Sequence, residues 1–242
     1  MSGVARDMTR LAYSIDADDL TASPMGLIVL QTDETLEPEF SAYFSDRTCP
    51  IYVSRIPSGK EVTTNTLAEM ETALPVAADL LPKTRPFRVV GYGCTSASSV
   101  IGSEQVERMV QKTCDVAIVT NPLRAAAACA HDLGVGKFAL LSPYIEEVND
   151  PIREAFARNG ILMDVFGTFG EAEEARVARI SRQSLIDAAT KLGREKSVEA
   201  VFISCTNLRT FDIIDEIEER LQKPVLTSNQ SLAWHMRKLN CD

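Results

Sequence analysis

Short apolar runs alternate with longer amphipathic stretches along most of the chain. Eight runs are rich in Val, Ile, Leu and Phe and are bounded by polar residues or Gly, which is typical of buried parallel strands. These runs are Gly26–Gln31, Ile51–Arg55, Phe87–Gly93, Asp115–Val119, Lys137–Ser142, Ile161–Gly167, Ala200–Ser204 and Pro224–Thr227. Because strands of this kind alternate with helical patterns, the sequence predicts parallel βαβ units and an α/β fold.

The stretches between these runs have the apolar spacing of helices. Gly follows three of them directly, at positions where a helix commonly ends. The predicted helices are Thr66–Leu81, Ser103–Thr113, Pro122–Leu133, Asn149–Asn159, Ser181–Leu192, Thr210–Leu221 and Asn229–Leu239.

One pattern occurs twice, about half a chain apart. FRVVGYGCTSAS at 87–98 and AVFISCTNLR at 200–209 each join an apolar strand to a Cys-Thr turn, and the two cysteines are 111 residues apart. This repetition predicts two pseudo-symmetric lobes, each a four-stranded parallel sheet flanked by helices, with a cleft between them. We expect residues 24–120 with 228–242 in one lobe and 121–227 in the other, and residues 1–23 as an N-terminal extension.

Both cysteines of the repeated pattern, Cys94 and Cys205, stand at the carboxyl end of a predicted strand. Ligands of open α/β sheets bind at this end. We expect each cysteine to start a helix, where the dipole and the free N–H groups would lower the pKa of the thiol. Neighbouring donors could hold a carboxylate, namely Thr95, Ser96, Thr206 and Asn207.

A thiol pair across a cleft suits acid–base or nucleophilic chemistry, in which one thiol takes a proton or adds to a double bond and the other donates a proton. This chemistry needs no metal and no cofactor, and the chain has no glycine-rich nucleotide-binding motif. The alternative is that buried cysteines simply pack as small apolar residues. We assign that role to Cys49, Cys114, Cys129 and Cys241, and we expect His131 and His235 to be surface residues.

Composition narrows the class of partner. The net charge of −9 argues against a nucleic-acid or anionic-membrane binder, although a small anionic substrate remains compatible with it. No apolar run has the roughly 20 residues of a membrane span, and the start of the chain lacks the apolar region of a secretion signal. Six cysteines without a C-x-x-C spacing are most simply free thiols, so we expect a cytoplasmic protein without a zinc site.

Four segments resemble the aspartate/glutamate racemase superfamily, in the branch of maleate cis–trans isomerase and arylmalonate decarboxylase. They are GLIVLQTDETLEPEF at 26–40, GYGCTSAS at 91–98, LLSPYIEEVND at 140–150 and ISCTNLRTFDII at 203–214. The resemblance implies paired catalytic thiols at Cys94 and Cys205, and a substrate carboxylate touching the hydroxyl of Tyr144. Without it, Tyr144 could equally anchor the Ser-Pro-Tyr turn. The segment around Gln31–Glu39 is most similar to ectoine-utilisation members.

The first segment departs from the maleate isomerase pattern. Those enzymes carry P-S-S-N-T-T after the first strand, and the Asn binds a carboxylate, whereas here Thr32 is followed by Asp33. Two carboxylates in contact repel by about 1 kcal/mol or more, which puts maleate in doubt as the substrate. Asp33 would suit an ammonium or another donor, or it could simply cap the following turn. Glu174 aligns loosely with a second amide-bearing residue of that family.

We therefore expect a cofactor-independent isomerase or racemase acting on a small carboxylate-bearing substrate, either an amino-acid derivative or a dicarboxylate. Substrate contacts are expected from Thr32, Asp33, Thr95, Ser96, Tyr144, Thr206 and Asn207. Two alternatives stay open: a decarboxylase of malonate-type acids that uses Cys205 alone, and a non-catalytic protein that binds a metabolite in the same cleft. The family is often oligomeric, and the sequence leaves homo-oligomerisation open.

Overall fold

A computed structural model describes residues 10–15, 23–46, 49–59 and 63–241, without the side chains of residues 64, 65, 67 and 68. The predicted N-terminal extension, residues 1–23, lies mostly outside the described residues. The strands are β1 Met25–Leu30, β2 Ile51–Ile56, β3 Phe87–Gly93, β4 Val116–Thr120, β5 Lys137–Ser142, β6 Leu162–Thr168, β7 Ala200–Ile203 and β8 Val225–Thr227. Every predicted strand is present, with its ends shifted by at most one residue.

Ten helices are assigned in the described part of the chain. They are α1 Leu36–Tyr43, α2 Thr64–Asp79, α3 Thr95–Ile101, α4 Ser103–Gln111, α5 Pro122–Leu133, α6 Glu146–Ala157, α7 Glu174–Val177, α8 Arg182–Gly193, α9 Ile214–Leu221 and α10 Ser228–Cys241. The short helices α1 and α7 were not predicted, because eight and four residues are too few to show a helical period. None of the described helices has the length and apolar character needed to cross a bilayer.

Two parallel four-stranded sheets confirm the predicted architecture. The strand orders are β2-β1-β3-β4 and β6-β5-β7-β8, so each strand of the first sheet has a counterpart in the second. The same order of pairing in both halves is what a duplicated βαβ arrangement produces. The sheets agree with two lobes, whereas the residue boundaries proposed for the lobes stay a prediction.

The helices bury the sheets in two apolar clusters. The larger cluster runs through both halves of the chain, and the smaller one holds Met25, Leu27, Phe40 and Met236 against the other face of the first sheet. The C-terminal helix α10 packs on β3 and α5. Gly93 is required at the end of β3 because a Cβ atom there would overlap the side chain of Leu36 in α1.

Candidate active site

The predicted site residues follow the two central strands of each sheet. In the first sheet, the loop after β1 carries Asp33 and the end of β3 carries Cys94. In the second sheet, Tyr144 follows β5 and Cys205 follows β7. In the first sheet β2 lies on one side of β1 and β3 lies on the other, and in the second sheet β6 and β7 flank β5 in the same way. The strand order therefore changes direction between β1 and β3 and between β5 and β7. Parallel α/β sheets bind ligands at such points, so each sheet contributes its own switch point to the site.

Cys94 lies at the start of α3, as the sequence predicted. It is the N-cap residue of this helix, and its Sγ accepts the backbone N–H of Ala97 at 3.3 Å. The Ser96 hydroxyl lies 3.6 Å from the same sulfur. The side chain of Cys94 is only 2% exposed. The free N–H groups of α3 therefore surround a thiol that is closed off from solvent.

Cys205 does not start a helix, which corrects the prediction. The chain turns through Thr206 and Asn207, and the next helix begins only at Ile214. Cys205 has φ 131°, a backbone conformation that residues with a side chain rarely adopt. Its backbone N–H donates to the Ser228 hydroxyl at 3.0 Å, and its Sγ accepts the N–H of Asn207 at 3.4 Å. Strain of this kind costs about 1–3 kcal/mol and concentrates at functional sites.

The expectation that the thiol pKa values are lowered is wrong for this structure, in which both thiols are buried. Burial raises the pKa of Cys94 to about 12, and burial also raises that of Cys205 well above its ordinary value. The carboxyls of Glu174 and Asp33 raise both further, because each negative charge disfavours a thiolate nearby. Desolvation and these two acids outweigh the N–H groups that point at the sulfurs.

Tyr144 lies beside the thiol of Cys205, and the contact with a substrate carboxylate that the family resemblance implies stays a prediction. Tyr144 is buried, and its hydroxyl hydrogen bonds to the thiol of Cys205, which stabilises the thiolate form of that cysteine. Burial raises the pKa of Tyr144, and the two cysteines add to the effect. A neutral phenol in this position is a hydrogen-bond donor to whatever charge develops beside it.

Three hydroxyl groups connect the two thiol-bearing turns. The Thr95 hydroxyl lies 2.8 Å from the Ser228 hydroxyl, which also accepts the N–H of Cys205. The Thr206 hydroxyl donates to the Gly93 carbonyl at 3.3 Å. Thr95 and Thr206 are predicted to hold a substrate carboxylate, which stays a prediction, and in this structure their hydroxyls bond to Ser228 and Gly93. Sequence analysis missed Ser228, although a Thr-Ser-Asn cluster directly after the last strand was a signal for it.

Asn207 was also predicted to bind the substrate, and its side chain is fully used within the protein. Its Oδ1 accepts the backbone N–H of Glu34 at 2.9 Å. Its Nδ2 donates to Glu174 Oε2 at 2.9 Å and to the Thr32 carbonyl at 3.3 Å. Asn207 thus ties the loop after β1 to the turn after β7 and to α7.

Asp33 has one satisfied and one unsatisfied oxygen. Oδ1 accepts the N–H groups of Thr35 and Leu36, both at 2.8 Å, so the Asp33 side chain caps the turn that follows it. Oδ2 is buried without a hydrogen-bond partner among the described residues, since the nearby Thr206 hydroxyl donates its one proton to Gly93. Burial raises the pKa of Asp33. The second oxygen is thus left available for a ligand.

Glu174 enters the site from α7. The residue is 6% exposed, and burial raises the pKa of its carboxyl, with Asp33 adding to the rise. The loose alignment that placed Glu174 near the site is therefore supported by the geometry. Glu39, on α1, accepts the N–H groups of Thr210 and Phe211 at 2.6 and 3.0 Å.

The remaining predicted residues lie at the edge of this cluster. Ser96 is buried next to Cys94, and the Thr32 hydroxyl lies 3.0 Å from that of Ser58. Arg209 donates to the Ile180 carbonyl at 3.3 Å, and Arg182 pairs with Asp212 and Glu216. His235, expected at the surface, is partly buried, and burial lowers its pKa to about 4.

No group of three or more His, Cys, Asp or Glu in the described ranges is arranged to hold a metal ion.

Comparison with known proteins identifies the family. A model of the arylmalonate decarboxylase family matches residues 60–242. The chain belongs to the arylmalonate decarboxylase family. It is 29% identical over 122 residues to arylmalonate decarboxylase from Bordetella bronchiseptica, a match that covers 50% of this chain and only 48% of that enzyme. It is 22% identical over 228 residues to maleate isomerase from Geobacillus stearothermophilus, covering 88% of this chain and 90% of the isomerase.

The fold of this arylmalonate decarboxylase family member is shared with solved isomerases. A mutant maleate cis–trans isomerase from Nocardia farcinica, with a covalently bound succinylcysteine intermediate, superposes with a TM-score of 0.78 at 20% identity. The superposition covers 90% of this chain and 92% of that one. The predicted resemblance to this branch is confirmed, whereas the link to ectoine utilisation stays a prediction. The family match includes Cys94, Tyr144, Glu174 and Cys205, and it begins after Asp33.

Proposed function

We propose that this member of the arylmalonate decarboxylase family is a cofactor-independent isomerase or racemase that uses Cys94 and Cys205 as a pair. The observation that carries the proposal is that both cysteines follow equivalent strands, β3 and β7, and that the Ser228 hydroxyl bridges their turns, through Thr95 next to Cys94 and through the backbone N–H of Cys205. Two thiols held at a fixed separation suit a reaction that takes a proton from one face of a carbon and returns one to the other.

The chemistry balances without any further reactant. In a racemisation, the thiolate of one cysteine removes the proton from the carbon next to the carboxylate, and the other thiol gives its proton to the opposite face. In a cis–trans isomerisation, one thiolate adds to an alkene carbon and the neighbouring carbon is protonated; the new single bond rotates, and elimination restores thiolate and alkene. The succinylcysteine found in the N. farcinica isomerase supports the addition route in that relative.

Tyr144 and the α3 N-terminus supply the stabilising groups. The Tyr144 hydroxyl and the N–H of Asn207 point at Cys205, and the N–H of Ala97 points at Cys94, so each thiolate meets at least one donor when it forms. Ser96 and Thr32 are the predicted donors with side chains nearest the cleft that can turn to a carboxylate. Thr95, Thr206 and Asn207 contribute to substrate binding once the lobes part, because their present partners lie within the protein.

Substrate access requires the lobes to separate. Both thiols are at most 3% exposed, and the loop after β1 is tied to the opposite half through Asn207 and through the ion pair of Glu34 with Arg179 at 3.0 Å. Opening admits substrate, and closure excludes water from the reacting carbon.

The test combines proton exchange in D₂O, followed by NMR, with matched cysteine variants. The substrate panel contains aspartate, N-acetylated diaminobutyrate, maleate and a substituted malonate. Exchange with loss of optical activity identifies a racemase, and fumarate from maleate identifies a cis–trans isomerase. Cys94→Ala and Cys205→Ala should each abolish turnover, whereas Cys241→Ala, at an exposed position near the C-terminus, should not. Wild-type turnover in either site variant would refute the paired mechanism.

A decarboxylase is the second candidate, favoured by the family model and by the B. bronchiseptica relative. In that reaction the carboxylate leaves as CO₂ and Cys205 alone returns a proton to the carbanion. A Cys94→Ser variant that still releases CO₂ from a substituted malonate would establish it, and a loss of release in that variant would exclude it.

A further inference from the structure

The cleft has an acidic end made of two buried carboxyls, Asp33 and Glu174. They come from opposite halves of the chain, Asp33 after β1 and Glu174 in α7, and Asn207 is bonded to Glu174 and to the same loop as Asp33. Asp33 and Glu174 are 3% and 6% exposed. Asn207 donates its side-chain N–H to Glu174 and its backbone N–H to the Cys205 sulfur. Asp33 lies beside the Thr206 hydroxyl, so both acids border the turn that carries Cys205.

Neither acid forms an ion pair among the described residues, and the only charge there that lowers the pKa of Asp33 is that of Arg55. The nearest guanidinium, that of Arg55, donates to the carbonyls of Leu30 and Asp33 and forms an ion pair with Glu37 at 2.8 Å. Arg179, close to α7, is paired with Glu34. Asp33 Oδ2 is buried without a hydrogen-bond partner among the described residues, and the nearby Thr206 hydroxyl, which lowers the pKa of Asp33, is engaged by the Gly93 carbonyl. A buried acceptor in this state is disfavoured unless a ligand satisfies it.

We propose that the acidic end of Asp33 and Glu174 takes the protonated nitrogen of the substrate, so that the site selects an amino acid over a dicarboxylate. This inference rests on the function proposed above for the same cleft. An ammonium group supplies three N–H donors and one positive charge, which satisfies Asp33 Oδ2 and offsets the two carboxylates. A dicarboxylate would place further negative charge against them.

The cation has a second consequence for the thiols. Glu174 and Asp33 oppose thiolate formation at both Cys94 and Cys205 in the empty site. A bound ammonium cancels this opposition, so the thiols ionise more readily in the complex than in the free protein. Substrate binding would then help to generate the reactive form of the cysteines.

The experiment measures binding apart from turnover. Calorimetry on the Cys94→Ser/Cys205→Ser double variant compares matched pairs that differ only in the amino group: aspartate with succinate, and 2-aminobutyrate with butyrate, with maleate as a further ligand. We expect the amino member to bind about tenfold or more tightly in at least one pair, because only the amino group forms charged hydrogen bonds with the buried carboxyls. Equal binding within both pairs, no binding of any amino acid, or preference for succinate or maleate would overturn the proposal.

Two variants test whether Asp33 and Glu174 produce the preference for an amino acid. Asp33→Asn keeps an oxygen to accept the N–H groups of Thr35 and Leu36, and it replaces the unpaired acceptor with an amide donor. We expect it, and Glu174→Gln, to reduce the preference for the amino acid at least tenfold, with maleate or succinate gaining affinity in Asp33→Asn. Glu173→Gln, at an exposed neighbour, is the matched control and should leave the preference unchanged. An unaltered preference in both site variants would overturn the assignment.

The outcome separates this inference from the proposed function. An amino acid that binds selectively but shows neither proton exchange nor isomerisation with the intact cysteines would refute the function and leave the acidic end assigned. Turnover of maleate with a weaker response to every amino acid would support the paired cysteines and refute the assignment.

Discussion

The hydroxyl of Thr95 lies 2.8 Å from that of Ser228, and Ser228 also accepts the backbone N–H of Cys205 at 3.0 Å. Thr95 is the residue after Cys94, so one buried hydroxyl links the two turns that carry the thiols. The separation of two acid–base groups must be held closely for proton transfer on both faces of one carbon. Ser228 is therefore a positioning residue for both cysteines.

Ser228→Ala should lower kcat by about 10-fold or more with a smaller change in KM, because misplacing the reacting groups affects the chemical step. The loss of two buried hydrogen bonds, which leaves the Cys205 N–H without its partner, should also cost about 2–3 kcal/mol in the free energy of unfolding. Steady-state kinetics and denaturant unfolding measure the two effects. Ser204→Ala is the control: its hydroxyl is buried without a partner among the described residues, so its removal should leave kcat unchanged. An unchanged kcat in Ser228→Ala would contradict the positioning role.

The two site thiols should react slowly in the free protein. A thiol with a pKa of about 12 is roughly a thousandfold less ionised at neutral pH than one with the ordinary value of 9.0. We expect alkylation by iodoacetamide, mapped by mass spectrometry from pH 7 to pH 10, to be slower at Cys94 and Cys205 than at the exposed Cys241 and to keep rising at the highest pH. Alkylation of either site thiol that levels off by pH 8 would show that the closed conformation is not the reactive one.

At position 205, replacement by glycine should give a more stable protein than replacement by alanine, which is the reverse of the usual order of stability. Its φ of 131° is easily adopted only by glycine, so Cys205→Gly should be more stable to unfolding than Cys205→Ala by about 1 kcal/mol. Both variants lack the thiol, so the difference isolates the backbone strain. Cys94 has φ −149°, and there Ala should be at least as stable as Gly. Finding Ala the more stable substitution at both positions would show that Cys205 is not strained.

Asp33→Asn should stabilise the protein near neutral pH. The pKa of Asp33 is raised by burial, so the folded protein holds its proton at pH values where the unfolded chain, with an ordinary Asp pKa near 3.9, has lost it. Wild-type stability attributable to Asp33 therefore increases as the pH falls from neutral through the raised pKa, and the gain is complete near the unfolded value. The variant should lack this gain and have a higher Tm at pH 7, by about 2–4 °C for each kcal/mol relieved.

Thermal unfolding of both proteins from pH 4 to pH 8 provides the check, and the wild-type minus variant difference removes contributions from Glu39 and His235. The difference includes the coupling of Asp33 to Glu174, because Asp33 raises the pKa of Glu174. A variant that is less stable than wild type across the whole range would mean that Asp33 is held by a cation or donor in the folded protein. Together with the binding experiment, a stabilised and less selective Asp33→Asn would identify a residue that costs stability in exchange for recognition.

Several features of this protein follow from local sequence alone. Alternation of apolar strands with helical periods located all eight strands, and the two Cys-Thr turns identified the equivalent points β3 and β7. Side-chain periodicity and turn residues act over a few neighbours, which is why they can be read without tertiary structure. Local patterns did not predict short helices such as α7, nor did they predict the backbone conformation at Cys205.

Only the tertiary structure decided how the site works. The pKa values of the thiols depend on burial and on Glu174, which lies 80 residues from Cys94 in the sequence. Asn207 and Thr206, predicted as substrate ligands, are bonded to Glu174 and Gly93 in this structure, and Ser228 joins both thiol turns. Desolvation, charge coupling and hydrogen bonding between lobes are set by distances across the cleft. A sequence determines those distances only through the complete fold. The sequence therefore showed which residues lie near one another, but not their pKa values or their hydrogen-bond partners.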